Sequence, residues 1–188
     1  MTSLLARDTT AGGPTVGAVN WTALHWLAPV LRMAATDCGH WPLPRVATRT
    51  AGTGAKAVRA GRDFAVTTMR RWGTAELSDD IAVVVSELLT NALRHTVPDR
   101  PDSAGTDAPL RTTPIRLGLM QPGRSVICAV ADPSRRVPQP KEPGMLAESG
   151  RGLQVIEALA DRWGYTPPSH LGKVVWAMFR LPGIRAAR

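Results

Sequence analysis

The sequence predicts a mixed α/β domain, and three observations carry that expectation. Ile81, Val84, Val85, Leu88 and Ala92 recur at helical spacing, as one buried stripe of an amphipathic helix requires. Residues 115–120 and 126–131 are short apolar runs separated by Gln121-Pro122-Gly123-Arg124, which has hairpin chemistry. A third apolar run, from Val174 to Leu181, reads as a closing strand.

The elements follow in order. Residues 1–20 are rich in Thr, Gly and Ala with weak periodicity, and they are expected to be mobile. Trp21 to Thr36 has the pattern of a short amphipathic helix that Pro29 either kinks or starts. Trp21, Trp26 and Trp41 are apolar anchors for the main domain or for a partner. The compact domain is expected to begin near Pro42, with Arg45 to Arg49 alternating as a strand. Thr53 to Trp72 reads as a helix with Val58, Phe64, Ala65 and Met69 inward, ended by Gly73. Ser78 then has the look of an N-cap, with Asp79 and Asp80 well placed in the first turn. Asp99 to Pro114 and Pro133 to Ser149 are prolyl, aperiodic loops. Leu153 to Leu159 is a helix, and Trp163 to Thr166 pairs with the last strand across a turn through Gly172.

Composition narrows the class. A chain of 188 residues with 44% apolar residues suffices for one domain with a real core. No apolar run approaches the roughly 20 residues of a membrane helix. No basic head precedes an apolar block at the N-terminus, so no signal peptide is expected. Cys38 and Cys128 show no metal-ligand spacing, and a buried free thiol at Cys128 fits a cytoplasmic protein. The net charge of +8 comes from Arg scattered along the chain, densest at Arg70-Arg71 and Arg135-Arg136. Without a dense basic run interleaved with aromatics, a solvated surface explains it better than direct nucleic-acid binding.

The chemistry-bearing residues start with Glu87 and Asn91. At i and i+4 they share one helical face, beside the apolar stripe where a pocket wall would run. A carboxamide oxygen suits Mg²⁺, and a carboxylate can take a proton from a hydroxyl or water. Arg94 and His95 follow one turn later, either near the same ligand or as solvated cations at the helix end. Asp132 closes a strand and can accept from an exocyclic amine, although a strand-end Asp alone is an ordinary turn residue. Gly150-Arg151-Gly152 precedes a helix, whose start offers free N–H groups to phosphate oxygens.

The order of these segments resembles the GHKL ATPase superfamily, which includes gyrase, histidine kinases and MutL-type repair proteins. The likeness is nearest to the anti-sigma-factor serine/threonine kinases of bacterial regulators. Residues 87–95 resemble the N box, and Asp132-Pro133-Ser134 resembles the adenine-binding G1 box. Ser149-Gly150-Arg151-Gly152-Leu153 resembles the G2 box, and Gly172-Lys173-Val174-Val175-Trp176 stands where the last motif falls. The resemblance implies a two-layer sandwich, with a mixed, mainly antiparallel sheet carrying helices on one face. It implies boundaries of 1–41 for an N-terminal extension, 42–183 for the ATPase domain and 184–188 for a basic tail.

The resemblance also implies roles. Asn91 holds Mg²⁺ on the ATP phosphates, and Glu87 is the general base. Asp132, with Ser134 beside it, holds the adenine amine with the help of a water. Gly150, Arg151, Gly152 and Leu153 form the phosphate entrance, and Arg94 and His95 approach phosphate. Two family features are absent: the second G1 glycine, near whose place Arg136 stands, and the last-motif Thr, replaced by Lys173 and Val174. The implied function is phosphorylation of an anti-anti-sigma-type protein, with a sigma factor as a further partner and homodimer formation open. The alternative is a non-catalytic ATP-binding module that sequesters a regulatory protein.

Overall fold

The computed structural model describes residues 24–35, 44–52, 54–95, 114–138 and 151–182. The loops expected at 99–114 and 133–149 fall largely outside them, as do Trp21, Cys38, Trp41 and the tail from 184. The elements are α1 (Ala28–Ala35), β1 (Arg45–Thr50), α2 (Ala55–Trp72), α3 (Ser78–His95), β2 (Arg116–Gln121), β3 (Ser125–Asp132), α4 (Arg151–Leu159), β4 (Arg162–Tyr165) and β5 (Lys173–Arg180).

The five strands form one sheet in the order β1-β2-β3-β5-β4. Every neighbouring pair is antiparallel, so the sheet expected to be mixed has no parallel pairing among the described residues. The β2–β3 turn closes with Ser125 N–H donating to Pro122 O at 3.1 Å, and Gly123 supplies the positive φ of 56°. Between β3 and β5 the chain crosses through α4 and β4, which makes two strands distant in sequence the central neighbours.

Strand alternation divides the core in two. Leu117, Leu119, Val126, Cys128, Val130, Val175, Ala177 and Phe179 point to one face, where Ala65 and Met69 of α2, the stripe of α3 and Ile156 of α4 cover them. The odd-even partners Met120, Ile127, Ala129, Val174, Trp176 and Met178 point to the other face. That second face is not bare: Leu27 and Val30, both fully buried, lie on it with Leu24, Trp26 and Leu31 packed around them. Helices thus cover one face as the family likeness implied, and the short α1 adds cover on the opposite face. Gly118 makes this approach possible, since a Cβ there would come within 2.9 Å of both Trp26 and Leu27 side chains.

Helix ends explain the remaining local order. Gly73 takes the left-handed conformation (φ 74°, ψ 28°) after α2. Its N–H donates to Arg70 O at 3.2 Å while Thr74 N–H donates to Met69 O at 3.0 Å, a Schellman closure. Ser78 departs from its expected capping role. A 3-10 turn over Ala75–Leu77 runs directly into α3, so Ser78 is already helical (φ −59°, ψ −42°) and its buried Oγ has no hydrogen-bond partner.

Candidate functional site

Glu87 and Asn91 both lie half-buried on α3, one turn apart, beside the fully apolar stripe. The first turn of α4 meets them there. A Cβ built on Gly152 would stand 2.6 Å from Glu87 Oε2 and 3.3 Å from Asn91 Nδ2. The glycine therefore brings the backbone at the start of α4 against the carboxylate and the carboxamide together. A helix start carries unpaired N–H groups and a partial positive charge, so this junction favours anionic oxygens. Leu153, the next residue, is partly buried and packs against the helix-side core. Gly150 and the side chains of Arg151 and His95 lie outside the described residues.

Arg94 is exposed and takes another direction. With Thr90 and Leu93 it borders a groove of about 960 Å³ between α2 and α3, whose other wall includes Val58, Arg59 and Arg62. Glu87, Asn91 and Gly152 are not part of the lining of that groove. The convergent polar groups, not the larger hollow, mark the chemically competent place.

Asp132 forms the second centre. It ends β3 opposite Lys173, the first residue of β5. Both side chains are nearly fully buried, at 4% and 2% exposure, and Lys173 Nζ lies 2.5 Å from Asp132 Oδ2. Nζ also donates to Ser134 O and to Ser134 Oγ, each at 3.1 Å, which uses all three ammonium protons. Asp132 Oδ1 accepts the Ser134 N–H at 2.8 Å. Two opposite charges can be buried at tolerable cost when they are paired and otherwise hydrogen-bonded, as here. Gly172 allows the approach of the strands: its φ is 96°, and a side chain there would strike the Asp132 carbonyl and Pro133.

The sequence placed Asp132 and Ser134 in the site, and it noted Lys173 only as a departure from the family pattern. The signal that Lys173 pairs with Asp132 is the β3–β5 register, which becomes visible once those strands are known to be neighbours. Cys128, on the same core face, is a buried thiol, and desolvation pushes its pKa up to about 12.

The model of the histidine kinase-like ATPase domain matches residues 51–179. The chain belongs to this family. A curated relative, the uncharacterized protein SCO4941 of Streptomyces coelicolor, is 38% identical over 78 residues, which cover 40% of this chain and 67% of that protein. Family membership puts the chain in the GHKL superfamily and implies ATP binding. The residues of this histidine kinase-like ATPase domain fit such a ligand. Gly152 keeps the approach to Glu87 and Asn91 free of a side chain, and both residues offer hard oxygen donors suited to Mg²⁺. Among the described residues no group of three or more His, Cys, Asp or Glu could hold a metal ion. No described helix is long and apolar enough to cross a membrane.

Proposed function

We propose that this chain binds ATP with Mg²⁺ and transfers the γ-phosphoryl group to a Ser or Thr hydroxyl of a regulatory partner of the anti-anti-sigma type. The observation that carries this reading is the junction at Gly152, where a helix start abuts a carboxylate and a carboxamide one turn apart. Asn91 Oδ1 would ligate Mg²⁺, which neutralises phosphate charge when bound. The start of α4 would bind phosphate oxygens through its free N–H groups. Glu87 orients the attacking hydroxyl and accepts its proton as the new O–P bond forms and ADP leaves. A phosphate on the partner adds close to two negative charges and changes its docking, which is the regulatory output. Holding a sigma factor is the companion role of this reading.

A second reading is favoured by one observation. The Asp132 carboxylate is already paired with Lys173, which suits a module that holds ATP as a regulatory ligand without transferring phosphate. Incubation with γ-labelled ATP and an anti-anti-sigma-type acceptor separates the two. Label on an acceptor serine that vanishes in Glu87→Gln supports the kinase. A stoichiometric unlabelled complex formed only with ATP supports the module.

A further inference from the structure

The pairing of Asp132 with Lys173 has chemistry that the family pattern does not assign. Strand alternation directs both side chains to the helix-covered face: Asp132 continues the row Val126, Cys128, Val130, and Lys173 begins the row Val175, Ala177, Phe179. Their neighbour Ser134 is only half-buried, so the cluster is reachable from the serine side. Asp132 accepts two hydrogen bonds, one per oxygen, and a carboxylate has about four acceptor positions. Lys173 spends its three protons on Asp132 and on two atoms of Ser134. The replaceable partner among these is the Ser134 hydroxyl, which can rotate and also accepts the Arg136 N–H at 3.2 Å. Displacing it frees one ammonium proton next to a carboxylate with spare acceptor capacity. The result is a donor and an acceptor side by side.

We propose that Lys173 and Asp132 together read the amidine edge of a 6-aminopurine, with Lys173 donating directly to the ring nitrogen while Asp132 accepts from the exocyclic amine. Lys173 is then a specificity-determining residue that takes over the work otherwise left to a bridging water. This inference rests on the nucleotide reading above. A 6-oxopurine reverses both groups: its carbonyl faces the carboxylate and its ring N–H faces the ammonium. Buried groups left unpaired in this way discriminate far more strongly than a missing apolar contact.

The test is calorimetric titration of the full chain with ATP and with ITP in the presence of Mg²⁺. Wild type should favour ATP by about a hundredfold or more, given two reversed hydrogen bonds. Lys173→Met should narrow that preference to about tenfold, as one of the two reading groups is lost, and Lys173→Gln, which keeps an N–H donor, should retain most of it. If Lys173→Met folds poorly, Asp132→Asn is compared with Asp132→Asn combined with Lys173→Met, which leaves no unpaired charge, and adding the Met substitution should narrow the preference beyond that of Asp132→Asn alone. An ATP-to-ITP ratio left unchanged by introducing Lys173→Met, in wild type or in Asp132→Asn, makes Lys173 a structural prop and overturns the proposal. Equal affinity of wild type for ATP and ITP overturns it as well, with the nucleotide reading intact. Binding of neither nucleotide removes both.

Discussion

Gly152 is the residue that brings α4 against Glu87: a single methyl group at this position would overlap the carboxylate, with only 2.6 Å left to Oε2. The obstructing atom is the far end of a side chain, which can rotate away without disturbing the core. The position therefore matters to where the carboxylate points more than to whether the chain folds.

Gly152→Ala should accordingly leave stability near wild type while displacing Glu87 and crowding Asn91. Gly152 lies in the first turn, where the helix-interior preference for Ala over Gly applies only in part, so the thermal midpoint should stay near wild type. ATP affinity should fall by about tenfold, corresponding to about 1.4 kcal/mol. Circular dichroism melting paired with calorimetric ATP titration checks both halves, and a variant that binds ATP normally would show the close approach to be irrelevant.

The buried ion pair makes a stability prediction of its own. Lys173→Ala leaves Asp132 buried without its cation and should cost about 3–5 kcal/mol. The neutral pair Asp132→Asn with Lys173→Met should recover most of that loss, because no charge is then left unpaired. Urea denaturation of wild type, the single variant and the double variant measures the difference. Equal midpoints for single and double variants would mean that the pair does not hold β3 to β5.

Across the sheet, Gly118 should control the seating of α1. Gly118→Val puts atoms where Trp26 and Leu27 now lie, so the segment 25–35 must lift. Hydrogen exchange in that segment should rise sharply while exchange in α3 and β3 stays slow. Leu27→Ala, which removes a fully buried side chain, should destabilise by about 2–5 kcal/mol if α1 unfolds together with the rest.

Cys128 gives a pH prediction with a definite sign. Its thiol pKa is raised from 9.0 to about 12 in the folded chain, so between these values the unfolded chain loses a proton that the folded chain keeps. Stability from this group is complete below pH 9 and falls as pH rises toward 12, by up to about 1.4 kcal/mol per pH unit. Cys128→Ser, measured by denaturation across pH 8–11, should have a shallower alkaline decline. A thiol reagent at pH 8 should leave Cys128 unmodified until the chain is denatured.

Much of this molecule was readable from local pattern. The stripe from Ile81 to Ala92 gave α3 and, with it, the shared face of Glu87 and Asn91. The hairpin through Gly123 and the helix stop at Gly73 follow from turn and cap chemistry that acts within five residues. What local pattern could not supply was long-range register. Lys173 is 41 residues from Asp132, and only the crossover through α4 and β4 makes them opposite each other. Ser78 failed as a cap because the short turn over Ala75–Leu77 is too brief for periodicity to reveal, and it hands its helical geometry on to the next residue. Gly118 is likewise silent in sequence, and Gly152, legible as a glycine at a helix start, carried no local sign of its approach to Glu87 and Asn91, since both meanings lie in what approaches from another layer.

The sheathing of the sheet's far side by Trp26 and Leu27 has a consequence for assembly. A second molecule that tried to stack its own sheet there would first have to evict these two side chains from over Gly118 and expose Met120, Ile127 and Met178 to water. Visitors are thereby steered elsewhere: to the rim strands β1 and β4, each with one side unpaired among the described residues, or to the helical roof.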